Sequence, residues 1–313
     1  MRLIKEKTSI DFLSQGRRNI AVGFSIFIVV VSLVSLSIRG LNLGIDFTGG
    51  ILLEVGYPQD ADLPDIRDKL DDAGFKESIV QAFGNTTDVL VRLGPQPGED
   101  STEIRDRLFA VLSGGDSRVD LRRVELVSAQ VGEELTEQGG LAMIFALTMI
   151  FVYVMFRFQW KFAAGAVAAL FHDVIVTVGF FSFTQISFDL TVVAAVLAVI
   201  GYSLNDTVVA FDRIRENFTK LRGASAKESM NVSINEMLAR TIITGVTTLV
   251  VLVALLTLGG ESVGPFSIAL IVGIVVGTYS SIYTASATAL MLHVTAQDLM
   301  PPEIDPDVID ELP

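Results

Sequence analysis

One carboxylate stands where an apolar segment should exclude it. Asp206 follows the run Asp189–Ile200 (DLTVVAAVLAVI) and is itself followed by Val208, Val209 and Ala210. A charged side chain at bilayer depth costs about 2.5–3.5 kcal/mol on insertion scales. Aspartate is too short to carry its charge far toward an interface, so its presence there calls for a use. Desolvation favours the protonated form of a carboxylate and a nearby cation favours the ionised form. A carboxylate in lipid that a cation approaches and leaves can therefore take up and release protons. One charge moved through 100 mV yields about 2.3 kcal/mol, which is the chemistry a proton-driven machine needs. Ser203, Asp206, Ala210 and Arg213 recur at intervals of three or four and share a helical face, with Asn205 beside it and Tyr202 a turn earlier.

Two other apolar runs carry polar groups. ALFHDVIVTVG holds His172 and Asp173, and NEMLARTIITGVTTL sets Arg240 against an apolar run. The proton-transfer candidates are thus Asp206, Arg240, Asn205, Asp173 and His172. Simpler accounts stand beside these: an interhelical hydrogen bond for His172, snorkelling to the interface for Arg240, and an interfacial salt-bridge cluster for Asp212, Arg213, Arg215 and Glu216. Paired aspartates such as Asp173 and Asp206 would suit an intramembrane hydrolase, but no GxGD surrounds either. With no cysteine in the chain, disulfides and thiolate metal sites are excluded. No catalytic set, metal site or cofactor is expected, and protons are the coupling ion.

These residues need a membrane scaffold. The chain has 313 residues, is 50% hydrophobic and has a mean hydropathy of +0.55, too apolar for a soluble domain. A span needs about 20 mostly apolar residues. The expected spans are 20–39, 139–157, 162–184, 187–211, 241–258 and 265–293. The first is too long for a signal-peptide core and lacks a small-x-small cleavage site. Lys and Arg set the orientation. Arg2, Lys5, Lys7, Arg17 and Arg18 precede the first span, Arg157 and Lys161 follow the second, and Arg213, Arg215, Lys220, Arg222 and Lys227 follow the fourth. The short loops QI and GGESVG carry none. Both termini (1–19 and the acidic tail 294–313) and the loop 212–240 are expected in the cytoplasm, with 40–138 outside. The formal charge of −13 argues against nucleic acid as a partner. Stretches such as AAGAVAA, and Gly273 and Gly277 four apart, suit close helix packing.

The outer segment alternates as a water-soluble fold does. ILLEVGY, SIVQAF, DVLVRLG and LRRVELVSAQVG are expected as strands, the second and third joined by a GNTT turn. LPDIRDKLDDAGF and STEIRDRLFAVLSGG are expected as helices, the first with Pro64 in its opening turn and Gly74 at its stop, the second starting at Ser101. The order β-α-β-β-α-β is that of a ferredoxin-like domain. No phosphate loop or nucleophile constellation appears in it, so a docking or binding module is expected.

LGIDFTGG (Leu43–Gly50), HDV (172–174), GYSLNDTVVAFDRIREN (Gly201–Asn217) and VGTYSSIY (276–283) resemble the SecD/SecF family of bacterial protein-export membrane proteins, within the resistance–nodulation–division (RND) superfamily. The resemblance covers nearly the whole chain. It implies six spans per repeat with an outer domain between the first two, this chain being one repeat and SecD the pseudo-symmetric other. It implies use of the proton-motive force to promote late preprotein translocation across the bacterial inner membrane, without enzymatic activity. The implied partners are SecD, the SecYEG translocon, YajC, unfolded preprotein and the lipid bilayer. Carried over by motif, Asp206 is the proton-carrying carboxylate and Arg240 its cationic neighbour, with Asp173 and His172 as further positions. The competing expectations are a small-molecule exporter repeat of the same superfamily and a purely structural scaffold for SecD.

The Lys/Arg asymmetry predicts opposite sides for two reporters. One fused after Pro313 should read cytoplasmic and one placed in LGPQPGEDS (93–101) should read external; the same side for both would contradict six spans.

Overall fold

The computed structural model describes residues 8–76, 78–96, 100–221 and 223–295. The acidic tail from 296 onward lies outside the described residues, as do Arg2, Lys5, Lys7 and Arg222. In chain order, helix α1 (Gln15–Arg39) is followed by the short α2 (Ile45–Thr48) and by strand β1 (Gly50–Gly56). Then come α3 (Leu63–Asp72), β2 (Ile79–Phe83), β3 (Asn85–Leu93), α4 (Ser101–Ser113) and β4 (Asp120–Val127). The chain continues as α5 (Ala129–Arg157), α6 (Trp160–Thr184), α7 (Leu190–Lys220), α8 (Ala226–Leu258) and α9 (Gly264–Ser280). A π-helical turn (Ser281–Ala285) links α9 to α10 (Ser286–Met291). Among the described residues, six helices are long and apolar enough to cross a membrane: α1, α5, α6, α7, α8 and the α9–α10 unit.

The outer domain is ferredoxin-like. Its four strands pair antiparallel in the order β2-β3-β1-β4, with Leu53 opposite both Val91 and Val124. Alternate side chains of β1 and β3 enter the core, where Leu53, Val55, Val89 and Val91 meet Leu70 of α3 and Leu108 of α4. Asp62 caps α3 by accepting from the Asp65 N–H, and Asp100 caps α4 by accepting from Thr102. Each such cap contributes about 1 kcal/mol. Burial, with Asp65 nearby, pushes the Tyr57 phenol up to about 12, so it stays a neutral donor to the Leu112 carbonyl at 3.0 Å.

Several boundaries differ from the sequence expectations. The β2–β3 turn is Gly84 alone, at φ 71°, and Asn85–Thr87 already belong to β3. Strand β4 ends at Val127; Ser128 then caps α5 by accepting from Val131, so SAQVG is not strand but helix start. Helix α7 begins at Leu190 rather than at 187, because Phe188 bridges to Leu43 and Asp189 is the N-cap. Helices α5, α7 and α8 all run past their apolar stretches, since a capped helix need not stop where lipid does.

The stretch LGIDFTGG ties the outer domain to the helices. Gly44 donates to the Phe188 carbonyl, and Asp46 Oδ2 accepts from Leu190 N at 3.0 Å, adding a second acceptor to the start of α7. The glycine pair is a steric necessity. A Cβ on Gly49 would lie 2.8 Å from the Ala129 Cα, and one on Gly50 2.2 Å from the Leu93 carbonyl oxygen, both at positive φ. Arg92 reaches from the sheet to the Leu43 carbonyl and the Asn42 Oδ1, each at 2.6 Å. At the opposite end of the helices, Asn231 and Asn235 of α8 hold the segment Thr8–Leu13 through the Leu13 and Ile10 N–H groups.

The compact core predicts that residues 50–127 expressed alone give a soluble α+β fold. Leu53→Ala should cost that fragment about 2–5 kcal/mol in urea unfolding; a cost below about 1 kcal/mol would show that Leu53 is not the core residue described.

Candidate functional site

Three of the five expected polar residues, His172, Asp173 and Asp206, are buried in the bundle, where α9 lies very close to α7. A Cβ on Gly273 would fall 2.1 Å from Val199, and one on Gly277 3.0 Å from the Ser203 Cβ. The pairs Val199–Gly273, Ser203–Gly277 and Thr207–Ser281 step along two parallel helices in one register, the last joined by a 2.9 Å hydroxyl bond. Without side chains at the two glycines, backbones approach closely enough for serine and threonine to reach across.

Asp173 of α6 sits at this junction and is fully buried. Its Oδ1 lies 2.9 Å from His172 Nδ1. Its Oδ2 accepts from Ser280 Oγ at 2.7 Å and from Ser203 Oγ. One carboxylate thus joins α6, α7 and α9. The π-helical turn begins directly after Ser280, so the adjacent Ser280 and Ser281 serve different partners, Asp173 and Thr207. Such turns recur where a helix must redirect its side chains.

Asp206 is placed differently. It is 6% exposed, and its Oδ2 has no hydrogen-bond partner among the described residues. It lies on the α7 face that meets α8, one turn from Tyr202 and two from Arg213. Arg240 of α8 is exposed and makes no ion pair with Asp206. Asn205 is exposed on the neighbouring face of α7. The structure therefore brings together Asp173 and His172, keeps Asp206 buried beside them on α7, and leaves Arg240 and Asn205 facing outward.

Toward the C-terminal end of α7, most of the charges are paired. Arg157 meets Asp212 at 2.6 Å, Arg213 meets Glu236 at 2.7 Å and also Glu216, and Lys220 meets Glu216. Asn217 adds bonds to Ser233 and Glu236 at 3.0 and 2.7 Å. This is the interfacial cluster expected for Asp212, Arg213 and Glu216; Arg215 is exposed. Sequence reasoning missed the contacts of Ser280, Ser281 and Thr207. The hydroxyl-rich GTYSS, directly after a glycine that permits close approach, was the available signal.

Comparison with known proteins follows the same lines. The family "Protein export membrane protein SecD/SecF, C-terminal" matches residues 109–295, and the "SecD/SecF GG Motif" matches 34–61. The chain is 49% identical to the protein translocase subunit SecF of Pseudomonas aeruginosa, covering 97% of this chain and 98% of that one. It is 47% identical to SecF of Vibrio alginolyticus, covering 100% and 99%. Its fold is similar to the crystal structure of SecDF, a translocon-associated membrane protein from Thermus thermophilus, with a TM-score of 0.82 and 33% identity. That match covers 94% of this chain, which spans only 40% of the SecDF chain.

The three partners of Asp173 generate a stability prediction. Asp173→Leu leaves Ser203 and Ser280 without their acceptor and His172 Nδ1 without its partner, and should destabilise the bundle by about 3 kcal/mol or more. The check is the thermal midpoint of detergent-solubilised protein; an unchanged midpoint would remove Asp173 from the account.

Proposed function

This chain belongs to the SecD/SecF family of protein export membrane proteins, and we propose that it uses the proton-motive force, together with a SecD subunit, to promote late preprotein translocation through the SecYEG translocon. The observation that carries the reading is Asp206: a buried carboxylate with an oxygen that has no hydrogen-bond partner among the described residues. A buried polar group costs free energy unless it is paired, so an unpaired carboxylate at this depth suits transient charging rather than static support. It takes up a proton in one state and releases it in another, when water or a cation reaches it. Arg240 is the cation we assign to that second state, since it lies on the adjoining helix and is not committed elsewhere.

The arrangement converts protonation into motion through contacts already described. Asp206 shares α7 with Ser203, which is bonded to Asp173, and with Thr207, which is bonded to Ser281. A displacement of α7 against α8 is therefore felt in α6 and α9. The outer domain is connected to the start of α7 through Asp46 and Arg92, which gives a path from the membrane site to the domain that would contact unfolded preprotein. Because the chain spans 40% of SecDF, SecD is assigned as the second repeat, covering the faces that expose Asn205 and Arg240. YajC is assigned as a further subunit. The setting is the bacterial inner membrane with both termini cytoplasmic.

Asp206→Asn should assemble with SecD yet lose gradient-driven enhancement of translocation, because Asn is nearly isosteric but cannot ionise. Arg240→Ala or Arg240→Met should fail similarly, while Arg240→Lys should keep part of the activity, retaining charge but not the planar fork. The assay is preprotein translocation into vesicles with an imposed proton gradient and matched subunit levels. Full gradient-dependent activity in Asp206→Asn would favour the scaffold reading.

A further inference from the structure

Two facing helices hold three buried polar atoms that have no hydrogen-bond partner among the described residues: Tyr202 Oη and Asp206 Oδ2 on α7, and Thr241 Oγ1 on α8. Asp206 is 6% exposed and Thr241 1%. The register of the two antiparallel helices brings these groups together. Asn217 meets Ser233, Arg213 meets Glu236, and the Tyr202 hydroxyl lies 3.8 Å from the point where a Cβ on Gly245 would stand. One turn from the Tyr202–Gly245 contact, toward the C-terminal end of α7, the same register sets Asp206 opposite Thr241. Thr278 Oγ1 of α9 lies 3.8 Å from the same Gly245 point. Oxygens from three helices thus border a space that the missing side chain of Gly245 keeps open.

Buried polar atoms are nearly always paired, with protein or with ordered water. An internal water needs roughly two to four polar partners, and this space offers them. We propose that Tyr202, Thr241, Thr278 and Gly245 form a water site beside Asp206, and that Tyr202 and Thr241 are positioning residues for proton delivery to its carboxylate. The proposal rests on the reading of Asp206 as the proton carrier. The water gives a proton to Asp206 Oδ2 and takes one from the next water in line, so water and hydroxyls end as they began. The other polar groups around Asp206 do not compete for this role. Asp173 is committed to His172, Ser203 and Ser280, and Arg240, next to Thr241 in sequence, is exposed.

Four conservative variants, assembled with the SecD subunit in proteoliposomes, test it. Tyr202→Phe and Thr241→Val each delete one hydroxyl at nearly constant volume. Gly245→Ala fills the space without a clash, since its methyl meets both oxygens at ordinary contact distance, 3.8 Å. Thr241→Ser keeps the hydroxyl. The expected result is a loss on the order of tenfold in gradient-driven translocation for the first three, with Thr241→Ser near wild type. Thermal midpoints of Tyr202→Phe and Thr241→Val should be little changed, because each hydroxyl bonds only water and its removal leaves no protein group unpaired. A purely structural role gives lowered midpoints and no rescue by serine, and that outcome overturns the proposal. So does wild-type translocation by Tyr202→Phe and Thr241→Val while Asp206→Asn is inactive, which leaves the Asp206 reading standing. Wild-type translocation by Asp206→Asn overturns both.

Discussion

A carboxylate inside a helix bundle must find its partners there, and Asp173 finds three. Its bonds to His172, Ser203 and Ser280 fix α6, α7 and α9 relative to one another. Much of the bundle's interior follows from that junction. A Cβ on Gly277 would press on the Ser203 hydroxyl at 3.2 Å, and Ser280 reaches Asp173 at the point where α9 gives way to the π-helical turn. Lipid offers no hydrophobic drive between helices, so close packing of small residues and buried hydrogen bonds hold them.

Against that fixed junction, Asp206 stands out by what it lacks. The two carboxylates are on neighbouring helices, yet one has partners on both oxygens and the other has an oxygen with none among the described residues. In the proposed reading the first anchors and the second changes state. The sequence alone set Asp173 and His172 beside Asp206 as proton-transfer candidates; the geometry suggests a division of labour between them. The same contrast organises the α7 helix. Its α9 side carries the anchoring groups Ser203 and Thr207, and its α8 side carries Tyr202 and Asp206, facing Gly245 and Thr241. Motion between α7 and α8 can thus alter the surroundings of Asp206 without breaking the α7–α9 contact.

Much of this was legible in the sequence. Six apolar runs, the ferredoxin-like strand and helix order, and the placement of Asp206 in an apolar helix all follow from composition and period. The helix ends were less legible, because hydropathy marks lipid and not hydrogen bonding. Helix α5 starts at Ala129, and α8 at Ala226 with a capping box from Ser225 and Glu228, both ahead of their apolar runs. Asp46 illustrates the limit: its type suggests a cap, but the helix it serves begins at Leu190, far along the chain. Gly49 and Gly50 were visible as a pair, while their reason, the approach of Ala129 and Leu93, is tertiary. The pairing of Asp173 with Ser280 and the facing of Asp206 and Thr241 depend on interhelical register, which no local pattern encodes.

The central claim is that Asp206 changes protonation state. Infrared difference spectroscopy of the reconstituted complex, recorded across a pH step, reads carboxylic acid C=O bands directly. The account predicts a band that appears on acidification and is absent from Asp206→Asn. Difference spectra identical in the wild-type protein and Asp206→Asn would contradict it.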